Sequence, residues 1–383
     1  MGISKHTYEV RGAERILTPA LLVYRDIVLA NIDTTLRLLN GNPSRWRPHV
    51  KTAKLGYVME MLTARGVTAF KCATSLELLT AIRAGARDVL VAYPVMGANA
   101  LRIREISRQH PQVATSVLVE SACQLDSWVG SGIGIFLDIN PGMNRTGIEQ
   151  DRAKDVVELA KLIHDVGLEF RGLHYYDGHL ESMALPDRLR RAHAGYDRLM
   201  RIVETLQAEN IPVREIITAG TPTFPCTLSF SAFLQPGFVH RASPGTVVYC
   251  DATVLEQLPE EFGYVPAALV LSRVVSQPTT EVITCDAGHK TLSVDCGVPN
   301  CLVAGMNYLE PLRPSEEHLP IRAPEKASSP ELGDVVYLIP RHVCPTVNNF
   351  DWALIIAGRE IVAVEQVHAR GRERPLLPQP APA

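Results

Sequence analysis

The sequence has no CxxC pair. Its eight cysteines (Cys72, Cys123, Cys226, Cys250, Cys285, Cys296, Cys301 and Cys344) stand singly in a chain of 383 residues. That spacing argues against a disulfide framework and fits a reducing cytoplasm. No apolar run reaches the roughly 18 residues of a membrane-crossing helix, and the opening Met1-Gly2-Ile3-Ser4-Lys5-His6 carries no apolar export segment. A soluble cytoplasmic protein is expected. Basic residues are scattered, and 38 Lys and Arg against 41 Asp and Glu give a net charge of −3. This argues against a nucleic-acid or membrane-surface partner. No GxGxxG follows the first strand-like run, so a dinucleotide fold is weakly supported.

What is present is a regular alternation. Strand-like runs occur at 20–24, 46–50, 69–73, 89–93, 115–119, 134–138, 171–176 and 215–219, with helical spacing between them. Eight strands with intervening helices predict an α/β architecture, either a (β/α)8 barrel or a large doubly wound sheet. Near Val247 helical periodicity gives way to short runs at 247–249, 267–275, 280–285, 292–294, 334–338 and 352–356, separated by Gly, Pro and acidic turns. These predict an antiparallel β domain. The expected division is 1–250 and 251–383, with the first residues free to join the second part and a frayed tail from Arg374.

Polar groups gather where the barrel strands end, the position of the active site in such barrels. Lys51 closes the run 46–50. A lysine there is most often one whose stem packs while its ammonium reaches water. The sharper reading is a Schiff-base lysine whose pKa is lowered by burial and by Arg47 and Lys54. Asn144 and Arg145 follow the sixth run, and His174, Tyr176, Asp177 and His179 end the seventh. Gly220 and Thr221, in Thr218-Ala219-Gly220-Thr221-Pro222-Thr223, close the eighth. Small residues there let backbone N–H groups converge on a phosphate, and Gly245-Thr246 offers a second such loop. Each taken alone has a bland explanation: a turn, or a surface ion pair. His342-Val343-Cys344 places two metal-ligand types at i and i+2, on one face if the segment is a strand. Thiolate plus imidazole suits zinc, and the bland alternative is a buried cysteine beside a bonded histidine.

Together these motifs resemble the alanine-racemase-like pyridoxal-phosphate enzymes, closest to their D-threonine aldolase and D-serine dehydratase branch. The resemblance rests on Arg47-Pro48-His49-Val50-Lys51, Met143-Asn144-Arg145-Thr146-Gly147, Gly172 to His179, Gly220 to Thr223, Pro244-Gly245-Thr246, Asp286 to Lys290 and Pro340 to Pro345. It implies a TIM-like barrel with a C-terminal antiparallel β domain. It implies pyridoxal 5′-phosphate held by Lys51, with Tyr176 near its ring and Arg145 at its polar edge. Gly220, Thr221, Gly245 and Thr246 would surround the phosphate. His342 and Cys344 would bind a divalent metal, zinc or manganese first. A homodimer acting on a small D-amino acid is also implied.

The segment departs from its relatives at Ala53, where Lys51-Thr52-Ala53-Lys54 replaces the usual Lys-Thr-His-Lys, and His179 takes a dehydratase-like place after Gly178. His179 is therefore the candidate base beside Lys51. Retro-aldol cleavage of D-3-hydroxy amino acids such as D-threonine is the preferred expectation. Dehydration of D-serine or D-threo-3-hydroxyaspartate is second. An amino-acid racemase or a non-enzymatic pyridoxal-phosphate carrier comes after these.

Overall fold

The computed structural model describes residues 5–323 and 329–376, so most of the tail expected to fray lies outside the described residues. The chain forms two compact units. One gathers residues up to 35, 52–58 and 246–370; the other gathers 36–51, 59–245 and the stretch from Gly371.

In the second unit, seven parallel strands run in order: Ala69–Cys72, Asp88–Val91, Ala114–Val119, Gly134–Asn140, Glu169–Tyr175, Glu215–Thr218 and Val239–Ala242. They are buried along most of their length, as strands covered on both faces must be. Helices cross between them, among them Ser75–Arg83, Ala98–Gln109, Ala153–Asp165 and Leu185–Ala208. Local chemistry starts one of these firmly: Thr74 accepts the Glu77 N–H while the Glu77 carboxylate accepts the Ala73 N–H.

The expected strand at 46–50 is an extended segment with single bridges, Trp46 to Ala242 on one side and His49 to Lys71 on the other. It thereby spans the two edge strands and closes the barrel. Pro48 explains the sparse pairing: it accepts the Lys71 N–H through its carbonyl but has no N–H to return. The run 20–24 departs from its expected place. Ala20–Tyr24 lies in the other unit, antiparallel to Ala268–Thr279 and parallel to Trp352–Ala357. Val239–Ala242, whose His240 and Arg241 hide it from an apolar search, completes the barrel instead.

Alternate residues of the barrel strands form three layers. At the strand starts, the Arg47 guanidinium, fully buried, bonds both oxygens of Asp88 and of Glu215. Leu90, Leu118, Phe136 and Ile217 form the apolar middle. Two residues beyond Phe136, at the strand ends, Asp138 lies opposite His174.

The first unit is built on Ala268–Thr279, which pairs with Ala20–Tyr24, Val282–Cys285 and Val335–Pro340. Its alternation feeds two cores. Val270 and Val274 pack with Ile283, Ile321 and Leu338; Leu269 and Leu271 pack with Tyr8, Leu22 and Ile339. Of the expected strands, 247–249 falls in a 3₁₀ turn, Thr246–Val248, and 292–294 is irregular. Among the described residues no helix is long and apolar enough to cross a membrane.

Candidate active site and metal centre

Lys51 follows the bridged segment at the strand-end side of the barrel unit and is exposed. The burial expected of this lysine is not found. Arg47 is committed at the opposite end of the strands, to Asp88 and Glu215. The Lys54 ammonium donates to the Ala369 carbonyl. Beside Tyr176 and Arg145 lies a buried lysine, Lys71, which sequence reasoning missed because Phe70-Lys71-Cys72 reads as a plain strand. Its Nζ stands 3.1 Å from His174 Nε2, and His174 Nδ1 stands 2.7 Å from Asp138 Oδ1. Burial first, then the charge of Lys51, brings Lys71 down to about 7. Burial and Lys71 likewise lower His174, which favours the neutral ring. His174 thus pairs with Asp138, and Asp177 has a different task.

Asp177 is fully buried and accepts from Thr223 Oγ1 and, at 2.8 Å, from Tyr196 OH. It ties the loop after Tyr175 to the loop after Thr218. Tyr176 lies between those loops. A Cβ on Gly178 would come within 2.5 Å of its ring, and one on Gly220 within 2.6 Å. The backbone passes close against the ring at both places. The Arg145 guanidinium sits 5.0 Å from the ring centroid and Lys71 Nζ 5.9 Å.

Arg145 is presented by a turn that Asn140 organises, since Asn140 Oδ1 accepts the N–H groups of Gly142 and Asn144. Thr146 Oγ1 closes the turn onto Asp138 at 2.7 Å. A small cavity of about 20 Å³ is lined by Asp138, Arg145, Thr146, His174 and Tyr176 among others.

Gly245 is backed by the His49 carbonyl, 2.5 Å from any added Cβ. Thr221 is buried in the loop with Gly220. His179 begins no regular helix; it sits in the turn Gly178–Leu180 with Nδ1 buried and unbonded. Glycine-only backbone, three cations and an unsatisfied imidazole nitrogen suit an anionic aromatic cofactor such as pyridoxal phosphate.

In the other unit, His342 and Cys344 do not lie on a strand. Val335–Pro340 ends before them, and His342 caps the helix Val343–Asn348. Asp251 pins this start by accepting the Val343 N–H at 2.9 Å. The two side chains still meet. Burial alone would lower the His342 pKa, but Cys344 and Asp295 outweigh it and raise it to about 9. The Cys344 sulfur also lies 3.0 Å from Thr52 Oγ1 and 3.8 Å from Thr246 Oγ1. Asp295, Cys296 and His342 bring ligand atoms within 4.8 Å of one another. A soft donor set with an imidazole suits a divalent transition metal.

Residues 23–252 match the alanine racemase N-terminal domain, and residues 267–356 match a putative serine dehydratase domain. A 3-hydroxy-D-aspartate aldolase of Paracoccus denitrificans (strain Pd 1222) is 26% identical over 373 residues, covering 93% of each chain. A D-threo-3-hydroxyaspartate dehydratase of Delftia sp. (strain HT23) is 25% identical over 214 residues, 54% of this chain and 56% of that one. The crystal structure of D-threonine aldolase from Filomicrobium marinum superposes with a TM-score of 0.86 at 24% identity, over 94% of this chain and 98% of that one. The barrel, its strand-end lysine and the domain matches agree, and the chain belongs to the alanine racemase N-terminal domain family, joined here to a serine-dehydratase-type β domain.

Proposed function

We propose that this chain cleaves D-3-hydroxy amino acids to glycine and an aldehyde. The coarser statement, that it is a pyridoxal-phosphate-dependent lyase, stands on its family and on the aldolase and dehydratase relatives. The observation that carries the finer reading is the full-length sequence likeness to an aldolase, against a likeness to the dehydratase over 54% of the chain.

Bound pyridoxal phosphate supplies an electron sink for the pair released at the substrate α-carbon. A divalent ion on His342 and Cys344 supplies a Lewis acid for a hydroxyl oxygen. The chain's own residues do the rest. Lys51 offers the exposed amine that holds the cofactor. Gly220, Thr221, Gly245 and Thr246 take the phosphate. Tyr176, close to Gly178 and Gly220, would lie near the cofactor ring, and Arg145 would meet its polar edge. Retro-aldol cleavage breaks Cα–Cβ, takes the β-hydroxyl proton and returns a proton to Cα. His179 is assigned the first proton because its Nδ1 is buried without a partner.

Dehydration is the second reading, favoured by the serine-dehydratase match over 267–356. There Lys51 removes the Cα proton and hydroxide leaves. A homodimer belongs to the same proposal. The exposed apolar residues Trp352, Val362 and Val364 of the outer sheet strands support it.

The test is a product assay on protein loaded with pyridoxal phosphate and zinc or manganese, offered D-threonine, D-3-hydroxyaspartate and D-serine. Glycine plus acetaldehyde or glyoxylate, lost on chelation, is the expected result. A 2-oxo acid plus ammonia moves the assignment to the dehydratase. Racemised amino acid, unaffected by His342→Ala, rejects the lyase.

A further inference from the structure

The imidazole of His342 is fixed from behind. Its Nδ1 lies 2.5 Å from Asp295 Oδ2, a close hydrogen-bond contact. Two donors bonded to one ion at about 2.0–2.2 Å with tetrahedral geometry would stand more than 3 Å apart. At 2.5 Å, Nδ1 and Oδ2 are closer than that and stand as hydrogen-bond partners. With the proton on Nδ1, the lone pair of a neutral ring is on Nε2.

Asp295 is itself held in place. Its Oδ1 accepts from Ser293 Oγ at 2.6 Å, the Ser293 N–H donates to Thr346 Oγ1 at 3.4 Å, and Thr346 Oγ1 donates to the His342 carbonyl at 2.9 Å. The circuit leaves His342 through its ring and returns through its own backbone. Such closure fixes both the tautomer and the direction of the ring.

We propose that Asp295 is the positioning residue of the metal centre: it accepts the Nδ1 proton of His342 so that Nε2 faces a divalent ion. This rests on the reading that His342 and Cys344 bind that ion. On that reading Cys344, and not Cys296, supplies the thiolate.

The experiment measures zinc and cobalt affinity of the full-length protein by competition with a chelating dye, for wild type and five variants. Asp295→Ala is expected to weaken binding by about 10–100-fold, while metal-free protein melts as wild type does. Asp295→Glu recovers part of the affinity, and Cys296→Ser changes nothing. His342→Ala and Cys344→Ser abolish tight binding. Wild-type affinity in Asp295→Ala overturns the inference alone. So does loss of cobalt–thiolate absorbance in Cys296→Ser with its retention in Cys344→Ser, which would make Asp295 and Cys296 ligands. Unchanged affinity in both His342→Ala and Cys344→Ser overturns the underlying reading as well.

Discussion

Lys71 Nζ lies 3.1 Å from His174 Nε2, and Asp138 stands on the far side of the imidazole, 2.7 Å from Nδ1. The amine is buried and its pKa falls from 10.5 to about 7. A lysine depressed in the fold costs stability while both folded and unfolded chains are protonated. That cost is complete below about pH 7 and disappears as pH rises to about 10.5, where the unfolded chain loses its proton too. The wild type should therefore gain stability relative to Lys71→Met across that window. Urea midpoints of both proteins at a series of pH values check this, and parallel curves would contradict it.

Arg47 is enclosed by Asp88 and Glu215, and removing it takes from these largely enclosed carboxylates the guanidinium they share. Arg47→Met should cost about 3–5 kcal/mol. Adding Asp88→Asn and Glu215→Gln should restore most of the loss, because the charges go together. Denaturant unfolding of the single and triple variants measures both effects.

Two lysines of the barrel unit compete as carriers of pyridoxal phosphate: Lys51, exposed, and Lys71, buried with a lowered pKa. Borohydride reduction followed by peptide mass spectrometry should place the label on the peptide containing Lys51. Lys51→Ala should lose it, and Lys71→Met should keep it. Label on Lys71 would reassign the carrier.

Gly220→Ala puts a Cβ 2.6 Å from the Tyr176 ring. The ring must shift, and with it the backing of the cofactor. Pyridoxal-phosphate affinity should fall by at least about tenfold, or about 1.4 kcal/mol, in a fluorescence titration of the apoprotein. An equal affinity would mean that the ring moves freely.

His179→Ala should keep pyridoxal phosphate and lose turnover, as a proton acceptor would, since its Nδ1 has no partner to hold the fold. Absorbance of the bound cofactor and product formation separate the two effects.

The alternation of strands and helices was legible because both faces of each barrel strand are buried, which leaves long apolar runs between polar turns. Helices such as Ser75–Arg83 and Ala153–Asp165 lie between those runs, where helical spacing was expected. Pairing was not legible. Ala20–Tyr24 and the barrel strands share the same texture, and nothing local tells which sheet a strand will join. Val239–Ala242 escaped because His240 and Arg241 interrupt its apolarity. At the site, Lys51, Arg145, Tyr176, Gly220 and Gly245 stand out by residue type. Lys71 and Asp295 do not, because their roles come from partners 103 and 47 residues away. His342 and Cys344 met as expected but for a different reason, since a helix start rather than a strand turns them together.

The central place of Ala20–Tyr24 has a consequence for synthesis. One of its neighbours, Ala268–Thr279, and the other, Trp352–Ala357, are translated long after it. At about 5–20 residues per second, the ribosome needs some tens of seconds to deliver the second. Through that interval a run of five largely apolar residues, Ala20-Leu21-Leu22-Val23-Tyr24, has both edges open. A chain growing in the cell is thus most exposed to chaperones and to self-association at its beginning, and that exposure ends only when its last strands emerge.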